Sequence, residues 1–300
     1  MNINRKPYVS IIVPIFNSQK TLRNCLKSLQ KIQGHFDFEV VVVDNNSTDE
    51  SVQIAAEFTN VRLERESTPG AGSARNKGIE SVKGEIIAFT DSDCCVHPNW
   101  IADLLPHLLN NPKLAGVGGD IISGSFRSPV SNYIDYRGMM NAQRLAKGSE
   151  FQPPFLLTCN ALFKKKALLE VDRFQNIWPA EDADLCIRLG KIGWEIQQFS
   201  GKGIVYHYHR ETLNSLLKMA YTYGKGSANL MVLHPDLMPA SYWIQGSLYT
   251  GIAKGLAKLP FAYQEKGPMH QRRALYDLLT NAALLLGRLS ISVRKGRLIL

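Results

Sequence analysis

Gly84-Glu85-Ile86-Ile87-Ala88-Phe89-Thr90-Asp91-Ser92-Asp93 decides how the rest of the chain is read. Its first part, Glu85 to Phe89, is too short for a typical helix and largely apolar, so it reads as a buried strand. Two acids follow at the carboxyl end of that strand, the edge at which open α/β sheets bind their ligands. Residues two apart in extended backbone face the same way, so Asp91 and Asp93 jointly address one divalent cation or one ligand through hard oxygens, which suits Mg²⁺ or Mn²⁺. The bland alternative is an Asp-Ser-Asp turn cap. Placement directly after a buried strand weighs against it.

Working outward, three more short β-branched runs precede this one, at Ser10 to Ile15, Phe38 to Val43 and Val61 to Glu64. Helical patterns separate them, which is the signature of βαβ units and a largely parallel sheet. Leu22, Cys25, Leu26, Leu29 and Ile32 fall at helical spacing, Ser47 and Glu50 read as a capping box for a second helix, and Gly72 to Ile79 supplies a third. Asp44 ends the second strand and turns through Asn45, Asn46 and Ser47, where it can accept a hydrogen bond from a base or ribose. A helix over Trp100 to Leu109 leads to a strand at Gly116 to Ile122. A short strand at Ile204 to Tyr206 comes before Thr212, a good N-cap for a long helical remainder.

Pro69-Gly70-Ala71-Gly72-Ser73-Ala74-Arg75-Asn76 enters a helix with glycines that permit close approach of a phosphate, and it aims Arg75 from the first turns. As a dinucleotide fingerprint it fails, because Arg75 stands where the third glycine belongs, so a simple dehydrogenase is disfavoured. Further on, Trp178-Pro179-Ala180-Glu181-Asp182-Ala183-Asp184 crowds three acids into one helix start. Macrodipole partnership explains at least one of them; a general base for an attacking hydroxyl explains another. His207 and His209 follow a strand on one side of it, so His207 is a further metal-ligand or diphosphate candidate.

The 300-residue chain, 45% hydrophobic and 20% charged, has the balance of an ordinary folded protein. Its formal net charge of +9 favours anionic partners. Basic residues are spread out with no aromatic stacking platform, which speaks against nucleic acid. Cys25, Cys94, Cys95, Cys159 and Cys186 contain no Cys-x-x-Cys pair and read as reduced, cytoplasmic thiols. No run of 18 strongly apolar residues predicts a spanning helix. The stretch 271–300, with Arg272, Arg273, Arg288, Arg294, Lys295 and Arg297 among leucines, reads as a basic amphipathic helix suited to an anionic membrane surface, peripheral at its inner face.

IIVPIFN, VVVDNNSTDES, PGAGSARNKGI, GEIIAFTDSDC, TCNALFKKKAL and EDADLCIRL occur in an order that resembles the family 2 glycosyltransferases of GT-A fold, over roughly residues 8 to 210. The resemblance implies an α/β fold with a GT-A Rossmann-like mixed sheet flanked by helices. The change of pattern near residue 212 sets off a helical extension at 213–300, and the resemblance makes 1–212 the catalytic domain (nucleotide-sugar half about 1–120, acceptor half about 121–212). It implies an inverting transfer from a nucleoside-diphosphate sugar, with a UDP-sugar favoured, to a hydroxyl of a lipid-linked or glycan acceptor. Carried onto this sequence, it puts Pro14, Phe16 and Asp44 near the nucleoside, with Asn17, Asn46 and Ser92 beside them in the donor site and Arg75 near the nucleotide. Asp91, Asp93 and His207 become metal ligands for Mn²⁺ or Mg²⁺, and Asp182 the general base. Asn160, Glu181 and Asp184 become acceptor or substrate contacts. Cys159 stands near a position where the family often has glycine. The competing readings are a nucleotide-sugar-binding scaffold without turnover and, more distantly, an Asp-x-Asp phosphatase.

Overall fold

The β-branched runs become strands because each buries a continuous apolar face, and the helices between them cover that face. The computed structural model describes residues 8–124, 128–148, 153–177, 179–237, 253, 256–257 and 268–295. Its elements are β1 (Tyr8–Ile15), α1 (Leu22–Leu29), β2 (Asp37–Asp44), α2 (Ser51–Ala56), β3 (Val61–Arg65), α3 (Ala71–Ser81), β4 (Ile86–Phe89), β5 (Cys94–Val96), α4 (Trp100–Asn110), β6 (Leu114–Gly118) and β7 (Ile121–Ser123). There follow α5 (Pro129–Arg137), α6 (Ala142–Lys147), β8 (Ala161–Lys164), α7 (Lys165–Glu170), α8 (Glu181–Lys191), β9 (Glu195–Gln198), β10 (Val205–His207), α9 (Leu213–Leu233) and α10 (Pro268–Lys295).

A seven-stranded sheet runs in the order β3-β2-β1-β4-β8-β6-β9, and a three-stranded sheet in the order β5-β10-β7. The first four strands are parallel, and β8 lies antiparallel to both β4 and β6, so the large sheet is mixed. Ile12, Val41, Ile87, Phe89, Phe163 and Leu185 form the heart of its core, each without exposed surface. Each such side chain contributes roughly 1.5–3 kcal/mol by leaving water. α3 is almost all small residues where it meets the sheet: a Cβ on Gly78 would stand 2.6 Å from a methyl of Ile12. That close seat is what brings Arg75 down to the strand ends.

Proline in a central strand loses a ladder hydrogen bond. Here Ile12 turns its carbonyl to the β4 side, accepting from the Thr90 amide at 3.3 Å. By alternation Pro14 faces the same side, past the last β1–β4 pairing at Ile12 and Phe89. No amide is missed there.

Two sequence expectations are corrected. The strand at Gly116 to Ile122 is two strands in different sheets, β6 and β7. They separate at Gly119, where any Cβ would collide with the Gly203 carbonyl, so the chain swerves through a gap only glycine fits. Ser47 does not cap the second helix, which starts at Ser51. Asp44 Oδ1 accepts from the Ser47 amide at 3.1 Å and ties that residue into a turn, and Asp49 Oδ1 takes the Ser51 amide instead, at 3.0 Å.

The chain divides into two compact units, Met1–Gly124 with Asn141–Tyr208, and Ser125–Met140 with His209–Leu300. Both sheets lie in the first. The second holds α5, α9 and α10. Thr212 caps α9 through a box with Ser215, as its sequence position leads one to expect. α9 and α10 touch backbone to backbone, because side chains at Gly224 and Gly287 would strike carbonyls of the opposite helix. Tyr133 on α5 donates to Asp277 Oδ1 at 2.8 Å, and Arg288 Nε donates to Ser227 Oγ at 2.9 Å. Arg288 is therefore buried, contrary to its expected place on a basic outer face, and the Arg273 guanidinium lies 4.1 Å from the Tyr136 ring centre. Arg297 lies outside the described residues, as does Trp178 of the acidic motif. Within α10, Arg272–Lys295 is by length and composition long and apolar enough to cross a membrane, with mean hydropathy 1.2, although its apolar residues are interrupted by polar ones.

Candidate active site

Arg75 is the centre of the site. It is 3% exposed, and its carbon Cζ lies 5.7 Å from the centre of the Phe174 ring. Nη1 donates to Glu181 Oε1 and Nη2 to Asp91 Oδ1, both at 2.9 Å. One buried cation thus joins the strand-end acids to the acidic start of α8, two segments ninety residues apart in sequence. Burial opposes its charge, but Asp91, Glu181 and Asp182 together outweigh that and raise its pKa. Its Nε has no partner among the described residues. A buried donor left unmet costs about 1–3 kcal/mol, so this corner is held under tension.

The three acids of α8 have three different environments. Glu181 is spent on Arg75. Asp184, 2% exposed, accepts from Arg188 Nε at 2.7 Å, and Arg188 also donates to the carbonyls of Val171 and Arg173. Asp184 therefore braces the loop before α8 through Arg188. Asp182 accepts only the neighbouring Ala183 amide, at 2.9 Å, among its hydrogen bonds. Burial first, and then the charge of Glu181, raise its pKa to about 7, against the pull of Arg75. A carboxylate with that value takes and returns protons near neutrality.

Asn160, expected as an acceptor contact, is held by three hydrogen bonds of its own side chain. It is 2% exposed; its amide donates to the carbonyls of Asp120 and Gly203 at 2.9 and 2.8 Å, and its oxygen accepts from Trp100 Nε1 at 2.7 Å. It stitches the crossing between β6 and β7 to α4.

Asp93 turns away from Arg75. Its Oδ1 lies 3.6 Å from His207 Nε2, and its carbonyl accepts from the Tyr208 amide at 2.9 Å. The antiparallel pairing of β5 with β10 makes this contact by setting Cys94 opposite His207. Asp91 does not join that group. The ligating atoms of Asp93, Cys94 and His207 lie within 4.8 Å of one another. Cys94 was not singled out in the sequence; its signal was the residue after Asp-x-Asp meeting a strand that ends in histidine. Burial pushes its thiol pKa well up, and the thiol donates toward the sulfur of Cys159.

The remaining donor-side residues line the ends of β1 and β2. Phe16 is 63% exposed, a free aromatic face at the rim. Asn17 and Asn46 both adopt positive φ, at 51° and 68°. Their side chains brace loops: Asn17 Oδ1 accepts the Thr48 amide at 2.8 Å and Asn46 Nδ2 donates to the Ser67 carbonyl at 3.0 Å. Ser92 Oγ meets Ser18 Oγ at 2.7 Å, fastening the Asp-Ser-Asp turn to the end of β1. A cleft of about 480 Å³ opens beside Asp44 and Asn46, with Arg65 and Glu66 across it, and does not reach Asp91 or Asp93.

Parallel strands ending in a carboxylate rim, an antiparallel strand beside them and a buried arginine between two acid clusters define a glycosyltransferase of GT-A fold. The profile described as Glycosyl transferase family 2 matches residues 10–172, and the chain belongs to that family. Glycosyltransferase AglE of Haloferax volcanii is 26% identical over 241 residues, covering 76% of this chain and 75% of that one. Pre-mycofactocin glycosyltransferase of Mycobacterium tuberculosis is 28% identical over 273 residues, covering 85% of this chain but 55% of the relative, so the chain spans about half of it. Among solved structures, mannosyltransferase PcManGT from Pyrobaculum calidifontis shares the fold with a TM-score of 0.66 at 19% identity, over 96% of this chain and 88% of that one. Glucosyl-3-phosphoglycerate synthase from Mycobacterium tuberculosis shares it with a TM-score of 0.55 at 21% identity, over 79% and 82%. The protein is accordingly a transferase, and the scaffold and phosphatase readings fall.

Proposed function

We propose that this enzyme moves a sugar from a nucleoside-diphosphate donor to a hydroxyl of a lipid-linked or glycan acceptor in a single displacement that inverts the anomeric centre. The observation that carries the reading is the Arg75 bridge from Asp91 to Glu181, whose neighbour Asp182 has its pKa raised to about 7 by burial and by the charge of Glu181. Asp182 accepts the proton of the acceptor hydroxyl as that oxygen attacks. Arg75 keeps the surrounding acids in register. Asp44, with Oδ1 fixed by the Ser47 amide, presents its other oxygen to the base or ribose, and exposed Phe16 offers a stacking face.

Asp93 and His207 fit a divalent cation: a carboxylate oxygen and a ring nitrogen 3.6 Å apart, both partly exposed at the strand ends. When bound there, such a cation would neutralise charge developing on the leaving diphosphate. PcManGT was solved with GDP-Man and Mn²⁺, and glucosyl-3-phosphoglycerate synthase with Mn²⁺ and UDP-glucose, which supports a nucleotide-sugar donor and Mn²⁺ or Mg²⁺ here. We take the donor to be a UDP-sugar. Calorimetric binding of UDP, GDP and dTDP with and without Mn²⁺, in the native chain and in Asp93→Ala, tests the assignment. Metal-dependent binding lost in the variant is expected; no nucleotide bound under any metal condition would overturn it.

The exposed Leu275, Leu286 and Val293 share one side of α10, with Arg272, Arg294 and Lys295 exposed toward its ends. This supports peripheral attachment at the cytoplasmic face of a membrane. Co-sedimentation with anionic but not neutral vesicles, weakening as salt rises, is the expected result.

A further inference from the structure

The small sheet sets a sulfur beside the oxygen and nitrogen assigned above to the cation. β5 begins at Cys94 and β10 ends at His207, and the antiparallel register places these two directly opposite each other. Side chains of directly opposed residues share one face of the pair, with Cβ atoms about 4.5–5.5 Å apart. The Tyr208 amide bonding to the Asp93 carbonyl carries the ladder one residue further, so Asp93 is held against the same edge. Cys94 Sγ lies 3.9 Å from Asp93 Oδ1, and His207 Nε2 lies 3.6 Å from that oxygen. Around a tetrahedral ion with bonds of about 2.0–2.3 Å, ligand atoms stand roughly 3.3–3.8 Å apart, so these spacings need little adjustment. Among the described residues this is the one group of three such atoms, and Asp91 is not in it.

We propose that Cys94 is a third protein ligand of the cation centre, which makes it a mixed oxygen, nitrogen and sulfur site that favours Mn²⁺ over Mg²⁺ of the two ions named above and takes Co²⁺, Zn²⁺ or Cd²⁺ through sulfur. The inference rests on the reading that Asp93 and His207 hold a cation. An all-oxygen pair of aspartates suits Mg²⁺, whereas imidazole and thiolate move preference toward borderline and soft ions. The sulfur–metal bond forms as the thiol gives up its proton to solvent, one proton for each ion bound. No redox change is involved. Cys159, hydrogen-bonded to Cys94 but outside the group of three, and Cys95, on the next residue of β5, are the natural controls.

The full chain is titrated with Co²⁺ and with Cd²⁺ under reducing conditions while thiolate-to-metal charge-transfer absorption is followed. One equivalent with a charge-transfer band is expected, retained in Cys95→Ser and Cys159→Ser. In Cys94→Ser the band disappears and Co²⁺ binds at least about tenfold more weakly, since loss of even a supporting partner costs a metal site that much. ¹¹³Cd NMR of the unmodified chain reports sulfur coordination without any variant, so a poorly folding Cys94→Ser leaves the test intact. Co²⁺ bound without a band, or a band that survives Cys94→Ser, overturns the role of Cys94 and spares Asp93 and His207. Binding that is absent in the native chain, or unchanged by Asp93→Ala and His207→Ala, sinks the cation reading itself.

Discussion

The two acid clusters of the site use the same side chains to opposite ends. Asp91 and Asp93 end a strand, stay partly exposed, and point to different partners, Arg75 for one and His207 for the other. Glu181, Asp182 and Asp184 begin a helix; Glu181 and Asp184 are buried against arginines, while half-buried Asp182 makes no ion pair among the described residues. Exposure lets the first cluster exchange its partners for ligands at little cost. Enclosure makes the second neutralise charge by pairing or by proton uptake, which is why Asp182 is the member we propose as the base.

The sharpest way to break this contrast is Asp182→Asn. It should lower kcat by about 10²–10⁴-fold while donor binding stays within error, read by transfer assay and calorimetry. Equal loss of binding and turnover would mean that Asp182 holds substrate rather than a proton. Arg75→Ala strands two acids and should lower unfolding stability by about 3–5 kcal/mol in urea titrations, because breaking a buried pair leaves uncompensated charge. Asp184→Asn should cost about 1–3 kcal/mol and leave kcat unchanged, the reverse of its neighbour two residues earlier.

Proton linkage supplies a smaller effect with a definite sign. Asp182 has a folded pKa of about 7 against an ordinary value of 3.8, so between about pH 4 and pH 7 the folded chain binds more protons there than the unfolded one. Its contribution to stability is present below that window and fades as pH rises through it, and Asp182→Asn should flatten that slope. Over the same range kcat/KM should climb about tenfold per pH unit and level off above pH 7. Smallest of all, Ser18→Ala should cost about 1 kcal/mol by freeing Ser92, with Asp182 chemistry untouched.

Much of the first cluster was legible in the chain. Strand periodicity placed β1 to β4 within a few residues, and acids directly after apolar runs fall at the carboxyl rim of a parallel sheet by topology alone. The second cluster was legible only as a set. Three acids in one helical turn differ by about 100° per residue in direction, and which one meets Arg75 or Arg188 depends on what packs around the helix. The partners of Asn160 were hidden for a related reason: a polar residue next to catalytic-looking sequence gives no sign that it bonds carbonyls forty residues away. Cys94 went unnoticed because its meaning comes from a strand more than a hundred residues later.

By itself the sequence determined the family, the parallel half of the sheet, the rim of Asp44, Asp91 and Asp93, and the three acids from which a base must come. These follow from local periodicity and from motifs in fixed order, which need no knowledge of distant contacts. Only the tertiary structure decided that Arg75 joins the two clusters, that Asp184 and Asn160 are braces, and that Asp93 sits with Cys94 and His207. Those outcomes depend on burial and on pairing between segments far apart in sequence, and burial is what fixes whether a carboxylate keeps its charge, shares it or takes up a proton.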